Sequence, residues 1–167
     1  ATAAGFATTD YLTWPVFAPV FMLILSGMAT SAGSTGGGIK MMRMLILFQQ
    51  ARREMKRLVH PRAVQPVVVG GKVVGNDMIF SVLAFMLVYG ATIIVLSMVL
   101  LLTDLDPVTA FSAVLASVHC MGPGLGALGP SSNYSVLTDF QLWVCTLGML
   151  LGRLEILSFM ALLTPAF

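Results

Sequence analysis

Two stretches of nearly bare peptide carry the chemistry this chain could do. One is Ser31-Ala32-Gly33-Ser34-Thr35-Gly36-Gly37-Gly38-Ile39-Lys40. The other is Cys120-Met121-Gly122-Pro123-Gly124-Leu125-Gly126. Peptide N–H groups can cradle a phosphate, and peptide carbonyls can replace the water around a cation. A phosphate loop reads G-x-x-x-x-G-K-[ST] after a β-strand. Gly33 and Gly38 have that spacing, but Ile39 intervenes before Lys40 and Met41 stands where a hydroxyl should meet magnesium. The residues before the run, Val16 to Met28, read as a helix. A nucleotide-binding membrane pump is therefore kept only as an alternative. The favoured reading is a backbone break inside a membrane helix. Gly36, Gly37 and Gly38 each cost roughly 1 kcal/mol in a helix relative to alanine. Ser31, Ser34 and Thr35 can bond the backbone groups that a break sets free, and the helix is expected to resume near Ile39.

The other reactive side chains form no constellation. Cys120 and Cys145 make neither a disulfide framework nor a metal spacing. His60 and His119 lie far apart without cysteine or carboxylate partners at ligand distance. No catalytic group and no resident cofactor is expected. Arg153, in "LGRLEIL", is different. A lone arginine at mid-membrane costs about 2.5–3.5 kcal/mol even on the lenient insertion scale. Glu155 lies about 200° around the helix and does not share its face. Arg153 must therefore face a pore or a partner.

The elements that position these residues belong to a membrane protein. The chain is 57% hydrophobic and 10% charged, against roughly 25% charged in a soluble domain. It starts at Ala1 and reads as a portion of something longer. Eight of its nine basic residues lie between Lys40 and Lys72. Apolar segments flank that cluster on both sides, so it marks a cytoplasmic loop rather than a nucleic-acid site. Three apolar stretches are drawn: Leu12 to Gly33, Met78 to Leu102 and Phe140 to Leu163. The middle one would reach about 37 Å as a helix, enough to cross a hydrocarbon core of about 30 Å. The linkers holding Asp10, Asp104, Asp106 and Asp139 then face outward. "VVVGGKVVGND" alternates like a short hairpin with a Gly-Gly turn.

The outward linker has a pattern of its own. Asp106 before Pro107 is a helix start, a cap residue followed by proline in the first turn. Val108 to His119 is too short to span. With the glycine strand after it, this reads as a re-entrant hairpin, because irregular backbone at membrane depth must be buried or line a cavity. Helix, short helix, glycine strand, helix is the layout of a cation-channel repeat.

Five segments, "ATAAGFATTD", "AGSTGGGIK", "LVHPRAV", "FSAVLASVHCMGPGLG" and "GRLEILSFMALLTPAF", resemble the TrkH/KtrB family of potassium-translocating subunits, most closely its TrkH branch. The resemblance implies an all-α integral membrane fold of the potassium-channel-like superfamily. Four helix–pore loop–helix repeats surround one pore, with one broken intramembrane helix. Residues 1–12 would be the filter strand and external linker of the third repeat. Residues 13–60 would be the broken transmembrane helix, with its intramembrane loop at 31–39 and a cytoplasmic extension. Residues 61–77 would be a cytoplasmic loop. Residues 78–165 would be the fourth repeat, with helix 78–102, pore helix 107–119, filter 120–126 and helix 138–163.

The implied potassium ligands are backbone carbonyls of Ala3, Ala4, Gly5, Cys120, Met121 and Gly122. The implied gate is Gly33, Ser34, Thr35, Gly36, Gly37 and Gly38, with Arg153 pointing into the pore beside it. Family members often carry threonine where Ala3 and Ala4 stand and asparagine where Cys120 stands. Backbone oxygens do not depend on those side chains. His119 is expected to pack at the foot of the pore helix. The implied function is potassium translocation in a Trk-type uptake system of the bacterial inner membrane. Membrane lipid, a cytosolic nucleotide-binding subunit of the TrkA type and a second copy in a homodimer are the implied partners. A secondary transporter with broken helices is the remaining alternative.

Overall fold

The computed structural model describes residue 5 and residues 9–15, 17–28, 37–60 and 66–154. Five α-helices and one hairpin make up the described chain. Helix α1 is Phe17–Met28 and α2 is Met41–Val59. Strands β1, Val67–Val69, and β2, Lys72–Val74, pair antiparallel with Val67 opposite Val74. Helix α3 is Asn76–Leu101, α4 is Pro107–Val118 and α5 is Asp139–Arg153.

The first apolar stretch becomes helical later than its hydropathy predicts. Asp10 caps a 3-10 turn at Tyr11–Thr13, its carboxylate accepting from the Leu12 amide at 2.9 Å. Regular helix begins only at Phe17. The twelve described residues of α1 span about 18 Å. Among the described residues, α3 alone is long and apolar enough to cross a membrane. Its two faces differ sharply: Ile79 and Phe85 are 2% and 3% exposed, while Phe80 and Leu87 are 68% and 73% exposed. Large apolar side chains on an outer face call for lipid or a protein partner as their solvent.

Helix α4 sits at the centre. Ala110, Ala113, Ala116, Ser112 and Ser117 are all buried, and their small size lets α3 and α5 approach closely. Phe85, Tyr89, Ile93, Leu96 and Leu100 of α3 share its core with Cys145 and Leu151 of α5. The Asp106 carboxylate accepts from the Thr109 amide at 3.2 Å, and Pro107 fills the first turn. Thr138 and Gln141 form a capping box at the start of α5. Gln141 then donates to Thr103 Oγ1 at 2.8 Å, tying the start of α5 to the turn after α3.

The hairpin forms where its Gly-Gly turn predicts. Gly70 and Gly71 take φ of 58° and 79°, the handedness that a two-residue turn of this kind requires. It closes a smaller core with Ile46, Ile79 and Val82. Helix α2 carries five of the eight residues of the basic cluster. Its Arg43 lies 4.0 Å over the buried Phe85 ring, and Glu54 pairs with Arg57 at 3.5 Å. Pro61 and Arg62, and residues 155–163 of the last apolar stretch with Glu155 among them, lie outside the described residues.

Candidate functional site

The glycine strand starts from the way α4 ends. The Met121 amide donates to Ala116 O and the Cys120 amide to Ser117 O, both at 2.9 Å. This paired closure is a Schellman motif, which needs a left-handed residue at its first non-helical position, usually glycine and sometimes asparagine. Cys120 occupies it with φ of 54°. An L-residue there costs roughly 1–2 kcal/mol. Replacing Cys120 by glycine is therefore expected to stabilise the fold by about 1 kcal/mol, and replacing it by valine to destabilise it. Thermal midpoints of the two variants that rank valine above glycine would refute this account of the turn.

The chain then reverses and runs back along α4. The Leu125 amide donates to Ser112 Oγ at 2.9 Å and the Ala127 amide to Thr109 Oγ1 at 3.3 Å. Positions advance along the returning chain as they recede along the helix, and that chain ends in a 3-10 turn at Gly126–Leu128. Ser112 and Thr109 stand three apart on α4, but Ser117 shares the helix, so their spacing alone does not single them out.

Gly122 follows with φ of 98°. Left-handed Cys120 and Gly122 thus alternate with Met121 and Pro123, whose φ is not positive. The Gly122 carbonyl accepts from the Tyr134 hydroxyl at 2.6 Å, and the Gly124 carbonyl from the Tyr11 hydroxyl at 3.1 Å. Among the described residues, no hydrogen bond reaches the Cys120 or Met121 carbonyl oxygens. Gly5 lies against this strand with φ of 77°; a methyl group on it would overlap the Met121 carbonyl oxygen and lie 3.7 Å from Pro123. The two linkers also meet, Ser131 Oγ donating to Asp10 at 2.8 Å.

His119 packs at the C-terminal end of α4, as the sequence predicts. It is 5% exposed, its Nδ1 lies 2.9 Å from Ser26 Oγ, and its ring stacks on Tyr89 with centroids 6.3 Å apart. The end of α1 is thereby fastened below the start of the glycine strand.

The described part of the glycine run reaches the same place. Residues 37–40 are not helical, and α2 resumes at Met41, close to the expected Ile39. The Ile39 amide donates to Gly27 O at 2.9 Å, so the chain folds back onto the end of α1. Gly37 and Gly38 are buried. A Cβ on Gly37 would stand 3.0 Å from the His119 carbonyl carbon and 3.2 Å from Cys120 Sγ. Gly38 has φ of 95°, and a Cβ there would be 2.9 Å from Gly27 O. On the other side, Gly152 lets α5 touch the end of α4, where a methyl would overlap the Val118 carbonyl. The next residue, Arg153, is exposed.

Gly5, Cys120, Met121, Gly122, Gly37, Gly38 and Arg153 therefore converge on one end of α4. Ala3, Ala4, Gly33, Ser34, Thr35 and Gly36 lie outside the described residues. The element before the glycine run is the helix α1, so the context of a phosphate loop is missing. Among the described residues, no cluster of three or more histidine, cysteine or carboxylate side chains could hold a metal ion. What the site offers is neutral carbonyl oxygen. Such oxygens suit a monovalent cation that must bind and leave quickly.

The TrkH family model, described as "Cation transport protein", matches residues 1–165. The chain is 43% identical over 166 residues to the Trk system potassium uptake protein TrkH of Vibrio parahaemolyticus, covering 99% of this chain and 34% of that protein. It is 40% identical to the Trk system potassium uptake protein TrkG of Escherichia coli, again over 99% of this chain and 34% of that one. The crystal structure of the potassium transporter TrkH from Vibrio parahaemolyticus superposes with a TM-score of 0.89, covering 98% of this chain and 34% of that chain. The chain spans about one third of the length of these relatives.

Proposed function

We propose, from the premise that this chain belongs to the TrkH family of cation transport proteins, that it forms part of a potassium-conducting pore. The observation that carries the reading is the approach of Gly5 to Met121 at one end of α4, where left-handed Cys120 and Gly122 alternate with Met121 and Pro123. In this reading residues 78–165 are one helix–pore loop–helix repeat and residues 1–60 are the end of the repeat before it. Carbonyls of Ala3, Ala4, Gly5, Cys120, Met121 and Gly122 replace potassium's water shell. Glycine at Gly5 and Gly122 leaves no side chain to obstruct the ion.

The loop from Gly33 to Gly38 is the gate. Its described end lies against Val118, His119 and Cys120, where a seated loop would obstruct the path. Arg153 adds a positive charge that opposes a cation in the same place. The linkers carrying Asp10, Asp104, Asp106 and Asp139 face outward and raise the local cation concentration. The basic α2 faces the cytoplasm, where it meets anionic lipid or a TrkA-type regulatory subunit. The whole protein is a homodimer of the bacterial inner membrane.

The test is ion flux by the full-length protein reconstituted in lipid vesicles. Potassium should move down its own gradient without added nucleotide. Absence of potassium flux overturns the reading. Movement in fixed stoichiometry with protons or sodium would replace the pore by a secondary transporter.

A further inference from the structure

We propose, resting on the pore function above, that Tyr134 and Tyr11 are positioning residues of the ion path. Their hydroxyls hold the Gly122 and Gly124 carbonyls and so set the oxygen spacing that separates potassium from sodium. The two bonds, at 2.6 Å and 3.1 Å, reach backbone oxygens two residues apart on one strand. They come from different directions. Tyr11 follows Gly5 and lies 113 residues from Gly124 in sequence, whereas Tyr134 lies in the linker leading to α5.

Both phenols are held at their own backbone. Tyr11 starts the 3-10 turn capped by Asp10, whose second oxygen is fixed by Ser131. Tyr134 starts the 3-10 turn capped by Asn133, and the buried Leu137 closes it by donating to Tyr134 O at 3.1 Å. Each hydroxyl is thus a fixed donor on a rigid stem, aimed at a carbonyl of a glycine.

Glycine needs such a holder. With no side chain and a left-handed φ at Gly122, nothing intrinsic stops the peptide plane after it from rotating. A donated hydrogen bond fixes the plane and takes one lone pair, leaving the other for an ion. Ion discrimination depends on the number, field strength and freedom of the carbonyl dipoles that an ion meets. Removing the donors should therefore change the choice between ions more than the total amount of protein.

The experiment compares full-length wild type, Tyr134→Phe and Tyr11→Phe in vesicles, with potassium and sodium flux measured in parallel. Phenylalanine keeps the ring and deletes the donor. The expected result is a potassium-to-sodium ratio lowered about fivefold in Tyr134→Phe, roughly the factor carried by one neutral hydrogen bond, with unchanged abundance. A merely structural role would lower both fluxes in proportion and leave the ratio alone, which overturns the proposal. If Tyr134→Phe fails to accumulate, the same ratio in Tyr11→Phe decides. A wild type without potassium flux rejects the pore function itself. A conducting wild type with unaltered ratios in the variants rejects only the positioning role.

Discussion

Potassium flux through the full-length protein is expected to vanish when Gly5 is replaced by alanine. Two independent effects act together. The residue sits at φ of 77°, where an L-side chain is strained, at a cost of roughly 1–2 kcal/mol. The added methyl would also overlap the Met121 carbonyl oxygen. Either Gly5 moves off or the Met121 carbonyl turns away, and both outcomes would disrupt the proposed row of oxygens. The control is Gly75→Ala. Gly75 precedes α3 at φ of −66° and has open space around its Cβ direction, so flux there should stay at the wild-type level. Both variants are to be measured as flux per molecule of reconstituted protein. Wild-type flux in Gly5→Ala would mean that Gly5 does not line the path.

The double variant Gly37→Ala/Gly38→Ala is expected to do the opposite. Neither methyl fits the seated loop: Gly37 abuts the end of α4, and Gly38 combines a left-handed φ with a 2.9 Å approach to Gly27 O. The strain at Gly38 alone is roughly 1–2 kcal/mol, and about 1.4 kcal/mol is a tenfold change in a two-state ratio. A loop that blocks the pore would leave its seat about ten times more often, and flux without any regulatory subunit should rise accordingly. Flux that falls in step with the amount of folded protein would show that the loop holds the bundle together instead. The hydrogen bond from Ile39 to Gly27 O is the contact most directly exposed to such a structural loss.

Some elements were legible in the sequence because their signals are local. Asp106-Pro107 marks the start of α4 through groups three residues apart. The Gly70-Gly71 turn needs only its own backbone angles. The long uncharged run from Met78 to Leu102 becomes α3, helical from Asn76 to Leu101. Where a local signal competed with composition, hydropathy misled. The first apolar stretch is continuous from Leu12, yet the Asp10 carboxylate turns its opening residues into a separate 3-10 turn.

The holders of the glycine strand were not legible. Tyr11 and Tyr134 look like ordinary linker residues, and Ser112 and Thr109 like helix polar groups with several available partners. Cys120 stands out in the sequence only as a departure from the family's asparagine, whereas its backbone role as the left-handed end of α4 emerged only from the pairing of Met121 with Ala116 and of Cys120 with Ser117.

By itself, then, the sequence determined the solvent, the helices and the places where helix cannot continue. Hydropathy, capping and glycine content act within a few residues and can be read in order along the chain. Only the tertiary structure decided that Gly5, Gly37, Cys120 and Gly152 all meet at the end of one short helix. That meeting depends on close approaches between backbones far apart in sequence. Such approaches are permitted by the absence of a side chain, and an absent side chain does not say what will come to fill its space.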